Sequence, residues 1–264
     1  MPTYRAVWLS DLHLGSRGCQ AEPLLAFLDG LDAVGTLYLV GDIIDFWAMR
    51  QAHYWPSSHD AVARRIIDLS RTVRVVYVLG NHDETLDFLL DYKFGQVEIV
   101  HDTSHALLDG RRLWVVHGDV FDPIMLYHPL LAHLGSAVYE VLALTNHLLK
   151  RVRAIFGRPH WSLANYLHKR AKKIGNFMRA YEAATTGEAR RRGYDGVVCG
   201  HIHIADMKMV NGTLYANDGD GVDSCTALVE TTDGELRHVK WNIVRYTGPG
   251  RREADRPMPA LDHR

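Results

Sequence analysis

The sequence has few cysteines, with only Cys19, Cys199 and Cys225 in 264 residues. Their number and wide spacing fit neither a disulfide framework nor a cysteine-type zinc site, so we expect reduced, buried thiols. No apolar run reaches the ~18 residues that a membrane-spanning helix needs, and the N-terminus lacks the basic start and apolar core of a secretory signal. We therefore expect a cytoplasmic protein, either free or peripherally bound to the inner face of the cell membrane.

Neither sign of charge predominates, because the net charge is −1, and the net charge therefore excludes no class of partner. Histidine, by contrast, is abundant, with 16 residues. In the first half, short apolar runs that predict buried strands alternate with amphipathic stretches that predict helices. The predicted strands are 4–10, 36–40, 73–79 and 113–116, and the predicted helices are 22–31, 59–70 and 84–91. Strands that alternate with helices indicate an α/β fold.

The pattern changes in the second half of the chain. Residues 125–156 and 162–185 have helical spacing with no strand between them, which predicts a helical insertion at about 123–193. Strands are predicted again at 196–199, 213–217, 227–231 and 236–242. We expect one domain over residues 1–247, including the insertion, and a loose tail at 248–264, which is rich in proline, arginine and aspartate.

Five short polar blocks each follow an apolar strand directly. They are Asp11-Leu12-His13, Gly41-Asp42, Gly80-Asn81-His82-Asp83, His117-Gly118-Asp119 and Gly200-His201-Ile202-His203. Ligands bind at the carboxyl ends of the strands in an open α/β sheet, so these blocks are expected to converge on one edge. A single Asp or His of this kind is most often an ordinary surface or hydrogen-bonded residue. All five blocks together, each at a strand end, indicate a functional site.

The residue types in these blocks match a site for two metal ions. Carboxylate, imidazole and amide oxygen suit divalent Mn, Fe, Zn or Mg, and manganese is our favoured ion. Asp42 has two carboxylate oxygens and can bridge two ions. Two ions about 3.5–4 Å apart can bind a phosphate, activate water and stabilise the leaving oxygen. These residues therefore predict phosphoryl-transfer chemistry.

At these motifs the chain resembles the calcineurin-like metallophosphoesterase superfamily. The resemblance implies a four-layer α/β/β/α sandwich, here with a helical insertion. It also implies that Asp11, His13 and His203 bind one metal, that Asn81, His117 and His201 bind the other, and that Asp42 bridges them. His82 would contact the phosphate or protonate the leaving group, and Asp83 would orient His82. Asn81, His82 and His201 would also contact substrate.

Within the superfamily, the chain is similar to the UDP-2,3-diacylglucosamine diphosphatase group of lipid A synthesis. The similarity lies in the stretches 10–14, 41–47 and 217–220 and in the insertion. It implies hydrolysis of UDP-2,3-diacylglucosamine to the lipid monophosphate and UMP. His82 stands where well-known members have Arg, which favours a general or nucleotide phosphodiesterase as the alternative. A non-catalytic metal-bound scaffold is the alternative from another class, and loss of a ligand would indicate it.

The predicted insertion carries an unusual charge. Residues 150–193 contain twelve Lys or Arg and only two acids, Glu182 and Glu188. A basic element beside an apolar helical stretch suits an acylated phosphate substrate at an anionic membrane surface, although a solvated basic helix face is an equal alternative. Nucleic acid is a further, weaker interpretation. By position and residue type, the predicted substrate contacts of this region are Asp122, Asn165, Lys169 and Lys172.

Overall fold

The computed structural model describes residues 4–90, 93–122 and 163–241, and the side chains of these residues apart from 94 and 163–174. The chain divides into two compact units, one formed by Met1–Gly118 with Thr186–Arg264 and the other by Asp119–Thr185. The predicted helix at 125–156 and the tail at 248–264 lie outside the described residues. Among the described residues, no helix is both long enough and apolar enough to cross a membrane.

Twelve strands and four α-helices are present in the described residues. The strands are β1 (Tyr4–Leu9), β2 (Thr36–Val40), β3 (Arg74–Val78), β4 (Lys93–Phe94), β5 (Val97–Val100), β6 (Asp102–Ala106), β7 (Arg112–Val116), β8 (Gly196–Cys199), β9 (Asp206–Val210), β10 (Thr213–Asn217), β11 (Thr226–Thr231) and β12 (Leu236–Lys240). The helices are α1 (Ala21–Leu28), α2 (Phe46–Ala52), α3 (Ser57–Leu69) and α4 (Leu163–Arg191). Two 3-10 helices span Glu84–Leu89 and Asp119–Phe121.

The strands form two sheets. The first has the order β12-β11-β1-β2-β3-β5-β4, and the second has the order β6-β7-β8-β10-β9. Strands β1, β2, β3 and β5 are parallel, as are β7, β8 and β10. The carboxyl ends of the parallel strands in each sheet therefore lie along one edge, which is where the polar blocks begin.

Alternate residues of the strands pack into two apolar clusters, as the two-residue period of a strand requires. Ala6 and Trp8 of β1 face the second sheet, where they share a cluster with Val115 and Val198. Val7 and Leu9 of the same strand belong to the other cluster, together with residues of α1 and α3. The predicted α/β class with packed sheets is thus confirmed.

The predicted elements were mostly found, with differences at their ends and in their type. The segment predicted as a helix at 84–91 is a 3-10 helix ending at Leu89. The helix predicted at 162–185 extends to Arg191 as α4. Helix α2 and strands β4, β5, β6 and β9 were not predicted. Strands β4 and β5 have only two and four residues, and β6 is mostly polar in sequence.

Candidate metal centre

The five polar blocks meet in space at the carboxyl ends of the strands. Asp11 and His13 follow β1, Asp42 follows β2, and Asn81 follows β3 in the first sheet, whereas His117 follows β7 and His201 and His203 follow β8 in the second. Two sets of three ligand atoms each lie within 4.8 Å of one another: Asp11 with His13 and His203, and Asp42 with His117 and His201. The structure therefore brings together six of the seven predicted ligands as two triads.

The first triad is held together by Asp11, which is fully buried. Its Oδ1 lies 3.1 Å from His203 Nε2, and its Oδ2 accepts a hydrogen bond from the backbone of His201 at 2.9 Å. Burial alone would raise the pKa of Asp11, but the imidazole of His203 outweighs it and lowers that pKa to about 2. The Asp11 carboxylate is therefore ionised and suited to a cation.

The second triad is centred on Asp42. Its Oδ2 lies 3.4 Å from His117 Nε2, and its Oδ1 accepts the backbone N–H of His82 at 2.8 Å. Burial favours a raised pKa for Asp42, but His117, His82 and His13 together hold that pKa well below its usual range. Because His13 belongs to the first triad and His117 to the second, Asp42 interacts with both, as a bridging carboxylate must.

Residues at the end of β2 or just after it orient one histidine of each triad through its second ring nitrogen. His117 Nδ1 donates to the backbone carbonyl of Val40 at 2.8 Å, and His13 Nδ1 donates to Asp45 Oδ2 at 3.1 Å. Histidines that bind metals through one nitrogen usually hold the other in this way, because the contact fixes the tautomer and the ring orientation. The rings of His117 and His201 lie 5.2 Å apart, centroid to centroid.

Five of the predicted ligands have left-handed backbone conformations. The φ angles are +51° for Asp11, +49° for His13, +54° for Asp42, +69° for His201 and +56° for His203. Asp and His enter this region more readily than most residues, but each such residue still costs about 1–3 kcal/mol when the surroundings enforce it. Backbone strain of this kind concentrates at functional sites, and here it follows the ends of β1, β2 and β8.

Two glycines are needed for the sheets to approach at this edge. Gly41 has φ +79°, and a Cβ there would collide with the ring of His117. A Cβ at Gly200 would collide with the Ser10 hydroxyl and would lie 2.6 Å from Asp11 Oδ2. Any side chain at either position would therefore displace a predicted ligand.

Asp45 is a site residue that the sequence interpretation missed. Its Oδ1 accepts a hydrogen bond from His82 Nδ1 at 2.9 Å, while its Oδ2 accepts from His13. Asp45 also caps helix α2 by accepting from the backbone of Ala48 at 2.8 Å. Burial raises the pKa of a carboxyl, but the bonds from His13 and His82 lower the pKa of Asp45 well below its usual range.

His82 is half-buried beside Asp42, and its ring packs against the indole of Trp47. The ring of Trp47 lies 4.1 Å from the His82 ring, centroid to centroid. Partial burial lowers the pKa of an imidazole, but the bond to Asp45 and the charge of Asp42 outweigh it, so the pKa of His82 lies above its usual value. His82 can therefore carry a proton beside the triads.

The hydrogen bonds of the Asp83 side chain go to residues other than His82, which corrects the expectation that Asp83 orients that ring. Its Oδ1 accepts from the backbone of Gly80 at 2.5 Å, and its Oδ2 accepts from the Tyr77 hydroxyl at 2.6 Å and from the backbone of Ile43 at 2.9 Å. Burial, with the nearby charge of Asp42, raises the pKa of Asp83 to about 6. Asp83 thus connects the loops that follow β2 and β3. The carboxylate that accepts a hydrogen bond from His82 is Asp45.

Ser10 and Asp218 form a hydrogen-bonded network with the Asp11 carboxylate. The Ser10 hydroxyl lies 2.5 Å from Asp11 Oδ2 and 2.6 Å from Oδ1 of the buried Asp218. The neighbouring Asn217 donates to the carbonyl of Gly200 at 2.6 Å, which fixes the loop that carries His201. Residues 217–220 were noted in the sequence only as part of a resemblance, and the structure places them against both sheets.

The chemistry of these residues fits divalent metal ions. Asn81 is buried, and its Oδ1 has no hydrogen-bond partner within the described part of the chain. A buried amide oxygen without a hydrogen bond is costly and is satisfied when it binds a cation. Ionised carboxylates, oriented imidazoles and this oxygen form a ligand set of the type preferred by Mn, Fe, Zn and Mg. The site can therefore hold metal.

The predicted substrate contacts of the insertion belong to the smaller unit. Asp122 is half-buried, and its backbone N–H donates to the backbone carbonyl of Asp119 at 3.0 Å. Asn165, Lys169 and Lys172 lie on helix α4, and their side chains fall outside those described. Their contact with substrate stays a prediction.

Comparison with known proteins agrees with this arrangement. A family model described as calcineurin-like phosphoesterase matches residues 4–205. The chain is 25% identical to the UDP-2,3-diacylglucosamine hydrolase of Aromatoleum aromaticum over 209 residues, which cover 75% of this chain and 80% of that one. It is 24% identical to the enzyme of the same name from Shewanella frigidimarina, over 75% of this chain and 81% of that one. An archaeal phosphodiesterase of known structure aligns with 89% of this chain and 98% of its own at 14% identity and a TM-score of 0.41.

Proposed function

This chain belongs to the calcineurin-like phosphoesterase family, and we propose that it is a two-metal hydrolase of a phosphate diester or diphosphate. The observation that carries the proposal is the pair of triads, each with ligand atoms within 4.8 Å, with Asp42 interacting electrostatically with both. In the proposed site Asp11, His13 and His203 would bind one ion, Asn81, His117 and His201 would bind the other, and Asp42 would contribute to both. Manganese is the ion that we favour.

Bound divalent ions would supply charge neutralisation of the phosphate and activation of water. The protein residues would orient His82, donate the proton and contact the substrate. Asp45 accepts the Nδ1 proton of His82 and holds the ring in place. Protonated His82 would give the proton on Nε2 to the leaving oxygen, and its raised pKa favours the protonated form. Asn81 and His201 would also contact the substrate phosphate.

The proposed substrate is UDP-2,3-diacylglucosamine, with the lipid monophosphate and UMP as products. The support is the name of the two relatives at 24–25% identity. The basic residues of 150–193, among them Lys169 and Lys172, would contact the substrate with Asp122 and Asn165, and would bring the protein to anionic membrane at the cytoplasmic face. A general or nucleotide phosphodiesterase is the second candidate, and His82 in place of Arg is the feature that favours it.

The test is hydrolysis with and without Mn²⁺ on two substrates, bis-p-nitrophenyl phosphate and UDP-2,3-diacylglucosamine. We expect metal-dependent turnover of both. Asp11→Ala and His117→Ala should each abolish it, whereas Asp68→Ala and His101→Ala, at exposed positions, serve as matched controls. Turnover of the simple diester alone would support the second candidate. Absence of metal-dependent turnover, or equal turnover in all four variants, would contradict a catalytic role for the site.

A further inference from the structure

Consecutive residues at the start of helix α2 contact His82, the proton donor of the proposed function. The Asp45 carboxylate accepts a hydrogen bond from His82 Nδ1 at 2.9 Å. The backbone N–H of Phe46 donates to the carbonyl of His82 at 3.3 Å. The Trp47 ring packs against the imidazole, with 4.1 Å between the ring centroids and 34° between the ring planes. His82 is therefore held at its backbone, at one ring nitrogen and through its ring.

The other ring nitrogen of His82 lies beside the candidate metal centre. Its Nε2 is 3.9 Å from Oδ2 of Asp42, the carboxylate that interacts with both triads. The ring of His13 meets the His82 ring edge to face, with centroids 4.8 Å apart and planes at 87°. The contacts of the ring with Asp45 and Trp47 therefore determine where Nε2 lies relative to the predicted metal ligands.

A hydrogen bond at Nδ1 does not by itself fix the plane of the His82 ring. The torsion between Cβ and the ring of a histidine is broad and roughly two-fold, so a bond to one nitrogen leaves the ring able to tilt. A flat side chain packed against the ring restricts this tilt, and Trp47 is such a side chain. A displacement of about 1 Å in a reacting group can cost about 100-fold in rate, so the restriction is large enough to affect catalysis.

We infer that Trp47 is a positioning residue for the proposed reaction, because it holds the plane of the His82 ring while Asp45 holds one ring atom. The inference rests on the proposed function, in which His82 is the proton donor. As water bonds to phosphorus and the bond to the leaving oxygen breaks, that oxygen takes the proton of Nε2. The attacking water loses a proton to solvent, from which neutral His82 regains one. Removal of Trp47 should therefore slow the reaction most where the leaving oxygen needs a proton.

The first experiment compares two diesters that differ only in the leaving group, methyl p-nitrophenyl phosphate and methyl phenyl phosphate, assayed with Mn²⁺. Phenolate is a stronger base than p-nitrophenolate, so its departure depends more on the donated proton. General acid catalysis contributes about 10²–10⁴-fold, so its partial loss in Trp47→Ala should lower kcat for the phenyl ester about tenfold more than kcat for the p-nitrophenyl ester. An equal loss on both esters, or a change in KM alone, would overturn the inference.

Trp55→Ala is the matched control for Trp47→Ala. The ring of Trp55 meets His59 edge to face at 5.8 Å, so this substitution removes an indole from a histidine that is not a predicted ligand. The ratio of the two kcat values should not change in Trp55→Ala. Trp47→Phe keeps a flat ring and should preserve the ratio, whereas Trp47→Leu keeps only an apolar side chain and should change it. Trp47→Leu also serves if Trp47→Ala does not fold, and equal ratios in Trp47→Phe and Trp47→Leu would overturn the inference.

A double-mutant cycle tests whether Trp47 acts through His82. His82→Ala should lower kcat more for the phenyl ester than for the p-nitrophenyl ester, and adding Trp47→Ala to it should cause no further difference between the esters. A further difference of about tenfold would overturn the inference. An equal effect of His82→Ala on both esters would contradict the proton donor of the proposed function itself. The two failures are distinguishable, because the inference alone fails when His82→Ala separates the esters and Trp47→Ala does not.

Discussion

Asp45 Oδ1 lies 2.9 Å from His82 Nδ1, and the other oxygen of the same carboxylate contacts His13 at 3.1 Å. One side chain therefore positions both a predicted metal ligand and the predicted proton donor. Because Asp45 also caps helix α2, its position is set by local backbone structure. The chemistry at His82 and the binding of metal at His13 should consequently respond together when Asp45 is changed.

Asp45→Asn should lower kcat and weaken metal binding, each by about 10–100-fold, because such supporting residues fix ring orientation and tautomer. Asn keeps an oxygen for the cap at Ala48, so the folded structure should persist. Turnover of bis-p-nitrophenyl phosphate and metal titration measure the two effects. Asp29→Asn, at an exposed carboxylate that ends helix α1, is the control. Full activity and full metal affinity in Asp45→Asn would show that the contact has no functional effect.

Asp83→Asn should destabilise the fold by about 2–4 kcal/mol, because the buried carboxylate accepts hydrogen bonds from Tyr77, Gly80 and Ile43. An amide can accept at one atom only, and its NH₂ group would face backbone donors. Urea unfolding measures the difference. Asp87→Asn, at an exposed residue of the 3-10 helix that follows Asp83, should have a free energy of unfolding within about 0.5 kcal/mol of that of the unsubstituted protein. An equally small effect at Asp83 would contradict the role assigned to its hydrogen bonds.

The protein should lose stability in mild acid partly through His105. This buried residue lies between Tyr38 and Glu230, with contacts of 3.0 and 2.8 Å. Burial lowers the pKa of His105, and the charges of Arg5 and Arg74 act in the same direction, although Glu230 partly opposes them. The unfolded chain then binds a proton first as the pH falls through about 6.5, so the stability that neutral His105 provides above that pH is lost below it.

His105→Gln removes this titrating group, so the fall in unfolding free energy between pH 7.5 and 5.5 should be smaller than in the unsubstituted protein. Urea unfolding at the two pH values measures that fall. His101→Gln, at an exposed histidine, should reproduce the pH dependence of the unsubstituted protein. The same pH dependence in both variants would contradict the assignment.

The sequence motifs were sufficient to predict the triads because each ligand follows a strongly apolar parallel strand, as Asp42 follows β2. They did not identify Asp45, although it lies three residues after Asp42, because the role depends on the start of α2, which the sequence period did not reveal. Asp83 was assigned by adjacency to His82 instead. The Asp83 side chain accepts hydrogen bonds from Gly80, Ile43 and Tyr77, so it does not cap the helix that follows it. The absence of this cap agrees with a 3-10 helix at Glu84–Leu89, where an α-helix was predicted.

The two missed strands of the second sheet have a common physical reason. β6 has the sequence Asp-Thr-Ser-His-Ala, and no residue of β9 (Asp206–Val210) is fully buried. Each lies at an edge of the second sheet, where neighbouring strands supply the pairing and the apolar pattern is weak.

The central claim is that the two triads bind a pair of divalent ions, and anomalous diffraction from a crystal grown with Mn²⁺ tests it most directly. We expect two anomalous peaks about 3.5–4 Å apart, with an oxygen of Asp42 contacting both and Asn81 Oδ1 contacting one. Crystals of Asp42→Ala should lose at least one peak. No peak at the triads, or manganese bound only elsewhere, would contradict the account.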